Sequence, residues 1–135
     1  MTYEKNKCYQ LKIPNEHYSP VIFNCPHSGR DYSMLNEQSV LNQNELRSSE
    51  DFFIDSFFEN VTDYGCFFLN AKFPRAFVDL NRSHKELDPK LIFSLPKSTY
   101  NSSKKVISGL GVIPRVVGEG RNIYGKKLDF SEVQM

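Results

Sequence analysis

Three apolar segments in a fixed order constrain this chain more than any other feature. Residues 21–25 are a short run of β-formers opened by Pro20 and stopped by Pro26, which reads as a buried strand. Phe53, Ile54, Phe57, Phe58 and Val61 then recur at helical spacing. Ser48 lies three residues before Asp51, as at a helix start, and Gly65 stands where a C-terminal cap belongs. The spacing predicts a helix over residues 49–63. Residues 66–71 follow as a second β-rich run. Strand, helix and strand in this order imply an α/β unit with a parallel sheet.

Weaker signals surround that unit. Tyr9, Leu11 and Ile13 alternate as in a short edge strand, and a short helix is expected at residues 37–41. Residues 75–81 alternate in part and predict a third strand with a polar exit. Residues 83–104, with Pro89, Pro96 and several serines, read as a long, lid-like loop. Val112, Ile113, Val116 and Val117 suggest one more strand, interrupted by Pro114. With 135 residues and no internal repeat, a single domain is expected over residues 1–135.

Composition removes several classes of function. Seventeen basic against sixteen acidic residues leave a net charge of +1, which steers the chain toward neither nucleic acid nor anionic membrane. Residues 104–127 are locally basic, with Glu119 the one acid, but only Tyr124 there could stack on a base. A solvated surface explains that stretch better than a nucleic-acid patch. Cys8, Cys25 and Cys66 form no CxxC pair, and the N-terminus has no apolar leader, so a reducing cytoplasm is expected. No apolar run approaches the roughly 20 residues that span a bilayer.

Candidate chemistry concentrates in three places. His27 directly follows the first strand, in a loop with Ser28 and Gly29. The carboxyl ends of strands are where open α/β sheets bind ligands, and a neutral imidazole there suits zinc. A structural histidine is the competing reading. Asp51 offers a carboxylate, although an acid in a first helical turn, like its neighbour Glu50, also serves the helix dipole. Arg75 and Arg82 bracket the predicted third strand, with Asp79 and Asn81 crowding its exit. Arginine beside asparagine can hold a carboxylate in a planar fork, and Arg75 could meet charge on a tetrahedral intermediate. Asp79 could instead pair an arginine, or orient such groups from behind. Gly109-Leu110-Gly111 fails the dinucleotide fingerprint because Pro114 occupies the third glycine position, so these glycines read as turn residues. Cys25 reads as a buried thiol.

Taken together, Pro26-His27-Ser28-Gly29, Glu50-Asp51 with Asp55, residues 73–82 through Asp79-Leu80-Asn81-Arg82, and residues 109–113 resemble the N-formylglutamate amidohydrolases. The resemblance runs over about residues 20–130, and the Asp-Leu-Asn-Arg block is its most specific part. That block is also similar to aspartoacylases and, more loosely, to zinc carboxypeptidases. The resemblance implies a zinc-peptidase-like, three-layer α/β sandwich with a mostly parallel or mixed sheet. It implies zinc held by His27 and Asp51, a substrate carboxylate gripped by Asn81 and Arg82, and a scissile carbonyl polarised by Arg75. The reaction would release formate and L-glutamate from an acidic N-acyl amino acid through a zinc-activated water.

Members of that family run to roughly twice this length, on the scale of a large single domain. Their second half carries a further zinc-binding histidine in an Asp-Cys-His-Ser type motif, which this sequence lacks. Neither His17 nor His84 stands in a matching context. A C-terminal partner half or self-association is therefore expected, and a non-catalytic, carboxylate-binding relic is the competing class.

Overall fold

In the computed structural model the described residues are 2–5, 8–16 and 18–133, so His17 lies outside them. Four strands form a mixed sheet: β1 (Thr2–Lys5), β2 (Tyr9–Ile13), β3 (Ile22–Cys25) and β4 (Phe67–Ala71), in the order β1-β2-β4-β3. β3 and β4 run parallel, with Ile22 opposite Phe67 and Cys25 opposite Asn70. The parallel unit expected from the two apolar runs is present. β2 pairs antiparallel with both β1 and β4, so it is an interior strand and not the edge its alternation implied.

The crossover between β3 and β4 departs from expectation. In place of one helix over residues 49–63 there are short pieces: α1 (Ser33–Asn36), α2 (Gln43–Leu46), a 3-10 turn at Arg47–Ser49, α3 (Ile54–Phe57) and a 3-10 turn at Val61–Tyr64. The short helix expected at 37–41 lies earlier, as α1. Two features break the long helix. Glu50 turns extended to bury its carboxylate, and Phe53 adopts a left-handed backbone. The apolar stripe also has little to pack against, since Phe53 and Phe57 are 63% and 76% exposed. Short helices are marginal without a buried face. Gly65 does cap the segment, with φ of 71°.

Residues 75–81 form turns and not a strand. Pro74 O accepts from both Phe77 N and Val78 N, and Asp79 N is spent on Val112 O, so no ladder can form. Residues 112–117 likewise supply no strand, but Val112, Ile113 and Val117 are buried with Leu35, Leu46, Ile92 and Ile123 in the main apolar cluster. Gly109 does turn the chain, with φ of 82°, whereas a side chain at Gly111 would meet the carbonyl of Glu86. The supposed lid is anchored at its centre: β5 (Ile92–Phe93) pairs with β6 (Leu128–Asp129), and buried Asp88 accepts from Arg115 at 2.9 Å. α4 (Lys104–Ile107) follows, started by Ser103.

The main apolar cluster is thus built from loops and short elements outside the four-stranded sheet. An apolar groove lined by Leu11, Ile22, Phe67 and Leu69 stays open on the sheet, and Ile22 is 63% exposed. Among the described residues no helix is long and apolar enough to cross a membrane.

Candidate active site

Both parallel strands end at the same edge, and the chain leaves each of them into the site. β3 delivers the Pro26–Arg30 loop, and β4 delivers Phe73, Pro74 and Arg75. The two exits are laced together: Asp31 N donates to Lys72 O at 2.9 Å. Gly29 is required here, because a Cβ would collide with the Phe73 carbonyl oxygen.

His27 is buried at the centre. Its Nε2 lies 2.8 Å from Asp79 Oδ1, and its Nδ1 lies 3.4 Å from Asp51 Oδ2. Asp79 is buried too; burial alone would raise its pKa, but the bonds from His27 and Asn81 N and the Arg75 charge outweigh that and pull it down to about 2. An ionised carboxylate only accepts, so Nε2 donates to Asp79, and in the neutral tautomer that keeps this proton the Nδ1 lone pair faces Asp51. This is a carboxylate–histidine pair of the kind that fixes an imidazole for metal binding.

The Nδ1–Asp51 separation has its own meaning. At 3.4 Å it is longer than a charge-assisted N–H···O bond of about 2.7–2.9 Å. Two donors each about 2.1 Å from a zinc ion, at the tetrahedral angle, stand about 3.4 Å apart. Two lone-pair donors at that spacing, one of them on a carboxylate nearly half exposed, fit two positions of a divalent ion. Among the described residues no group of three His, Cys, Asp or Glu side chains converges to complete the shell, and His84 is exposed on the surface. Cys25, buried beneath the loop, does not join in. Burial, then the charges of Asp55 and Asp51, push its thiol up and keep it protonated.

The arginines meet on Asp79. Arg75 Nε donates to Asp79 Oδ2 at 3.0 Å, and Arg82 Nε stands 3.8 Å from the same oxygen, with no hydrogen-bond partner for that buried nitrogen. Asn81 contributes its backbone N–H to Asp79 Oδ1 at 2.9 Å, while the residue itself is exposed. Arg75 and Asp79 also line a cavity of about 390 Å³, together with Leu110, Val117 and Glu119 among others. His27, Asp51, Arg75, Asn81 and Arg82, expected separately from the sequence, are all linked directly or through Asp79.

The family model of N-formylglutamate amidohydrolase matches residues 19–135. The chain belongs to the N-formylglutamate amidohydrolase family. A solved N-formylglutamate amidohydrolase from Ralstonia eutropha JMP134 is similar to it, with a TM-score of 0.82 and 30% identity over 94% of this chain. That match covers 45% of the Ralstonia chain, so this chain spans less than half the length of that relative. No curated protein matches. In this N-formylglutamate amidohydrolase-family chain, the partners of Glu50 have no counterpart in the sequence pattern. Glu50 is wholly buried and bound by Arg30, Arg47 and Tyr32. Glu50 is part of the Glu50-Asp51 motif, but burial of one acid in a pair leaves no periodic mark.

Proposed function

We infer that this chain supplies the metal-binding and carboxylate-recognising portion of a hydrolase site that cleaves N-formyl-L-glutamate, or a similar acidic N-acyl amino acid, to formate and L-glutamate. The observation that carries this reading is the His27–Asp51 donor pair at 3.4 Å, with His27 locked by Asp79, in a chain of the N-formylglutamate amidohydrolase family. His27 Nδ1 and Asp51 Oδ2 are the zinc donors in this reading. Zinc, when bound, would lower the pKa of a water molecule and so provide the nucleophile.

The protein's own residues do the remaining work. Asp79 holds the imidazole tautomer and fixes Arg75 through Nε, which leaves the outer guanidinium nitrogens of Arg75 to stabilise charge on the scissile carbonyl. Arg82 and the Asn81 amide bind the substrate carboxylate in this reading: Arg82 Nε is paired with Asp79 at 3.8 Å without a hydrogen bond, and the remaining guanidinium nitrogens can fork onto an anion. The adjoining cavity of about 390 Å³ has the size of a small-molecule site.

The third metal donor and the general base belong, in this proposal, to structure beyond the described residues. A C-terminal half or an associating copy would complete one domain of the three-layer, zinc-peptidase-like type, seated on the open apolar groove of the sheet. A cytoplasmic setting suits the buried free thiols of Cys25 and Cys66. A second reading, a carboxylate-binding relic without metal chemistry, is favoured by the absence of a third donor among the described residues. Formate release separates the two. The chain would be assayed with zinc, alone and co-expressed with the unmatched portion of the Ralstonia relative. Turnover only in the combination supports the hydrolase, whereas zinc-independent binding of N-formylglutamate without turnover supports the relic.

A further inference from the structure

The two candidate metal donors come from segments 24 residues apart in the chain, and one side chain spans both. Arg30 lies three residues after His27. Its Nε donates to Glu50 Oε1 at 2.7 Å, while Nη1 and Nη2 donate to Asp55 Oδ2 and Oδ1, each at 2.9 Å. Glu50 and Asp55 flank Asp51. The Glu50 carboxylate has no exposed surface and also accepts from Arg47 Nε at 2.9 Å and Tyr32 OH at 3.3 Å. Asp55 is only 16% exposed. The backbones are tied alongside, by Asp51 N to His27 O at 3.1 Å and Ser28 Oγ to Asp51 O at 2.9 Å.

We propose that Arg30 is a positioning residue: its guanidinium, forked between Glu50 and Asp55, sets the separation of His27 and Asp51 before any metal arrives. The inference rests on the metal reading above. A planar guanidinium with three engaged nitrogens fixes both the distance and the angle between two segments, which a flexible ammonium cannot do. Groups behind the ligands commonly change metal affinity by 10–100-fold when altered. Electrostatics alone gives the opposite sign. Removing a cation beside an acidic site would strengthen the binding of a metal ion.

The test uses the full chain in three measurements. Zinc affinity would be measured for wild type, Arg30→Lys, Asp51→Ala and the double variant, by competition with a chromophoric chelator. Arg30→Lys keeps the charge and removes the fork, so zinc should bind about tenfold or more weakly. In the Asp51→Ala background the same change should have almost no further effect, because the clamp acts only through Asp51. Thermal melting in excess chelator shows whether each variant is folded. Hydrogen exchange of the Asp51 amide, which bonds to His27 O, is read without metal and should become several-fold faster in Arg30→Lys. Unchanged Asp51 exchange overturns the clamp, whether or not zinc binds. Unchanged zinc affinity in a folded Arg30→Lys protein, or an equal loss with and without Asp51, overturns its role at the metal. If wild type and Asp51→Ala bind zinc equally, the metal reading fails, and the inference fails with it.

Discussion

Asp79→Asn tests the hub of the site without deleting any candidate ligand. Asparagine is a permanently uncharged stand-in for the protonated acid, so the variant's cost can be worked from the acid's depressed pKa. Asp79 falls from an ordinary 3.8 to about 2 in the folded protein. Each unit of such a shift represents about 1.4 kcal/mol, so the charged form contributes about 2 kcal/mol to stability near neutral pH. The folded pKa is lowered, so this contribution is full above the unfolded value near 4 and disappears as pH falls through about 2. Roughly half should remain at pH 3. The assay is urea unfolding of wild type and Asp79→Asn in chelator, at steps from pH 6 to pH 2. The difference between the two proteins should be about 2 kcal/mol at pH 6 and shrink toward zero at the acid end. A gap below about 0.5 kcal/mol at pH 6, or one that does not narrow in acid, would refute the view that three donors hold this carboxylate ionised.

Gly29→Ala should destabilise the fold by about 3 kcal/mol or more, because its Cβ would overlap the Phe73 carbonyl, and denaturant midpoints would show it. A midpoint within error of wild type would mean the two loop exits are not in contact. Arg115→Ala leaves the buried Asp88 carboxylate without its cation and should lower the melting temperature by roughly 5–10 °C, since the arginine is itself partly exposed. Arg82→Lys keeps the charge but not the fork, and in a complete assembly it should weaken N-formylglutamate binding by on the order of 2–5 kcal/mol; equilibrium dialysis with unchanged affinity would make Arg82 a structural residue.

What the sequence made legible was set by local chemistry. The β3 and β4 runs are short, β-rich and bounded by proline or glycine, and their parallel pairing follows from the residues between them. His27 was visible because it sits where a parallel strand ends. The helix over 49–63 misled because its periodicity was real while its apolar face stays largely exposed, and because the buried Glu50 has an extended backbone at that point. The supposed strand at 75–81 failed for a similar reason. Asp79 must reach His27, Asn81 N and Arg75 at once, and only a turning backbone presents it so. Val112, Ile113 and Val117 are as apolar as a strand would need, but they fill the core as irregular chain. Contacts between distant polar residues, such as Arg30 with Glu50 and Asp55, carry no periodic signature and are seen only in the fold.

The account's central claim is that His27 and Asp51 are metal donors. The most direct measurement is zinc retained by the purified chain after dialysis against a weak chelator, for wild type, His27→Ala and Asp51→Ala. Two protein donors leave most of the shell to water, so retention by the wild type should be weak and far below that of a closed structural site. Both variants should lose it while remaining folded. Equal zinc occupancy in wild type and His27→Ala would contradict the claim.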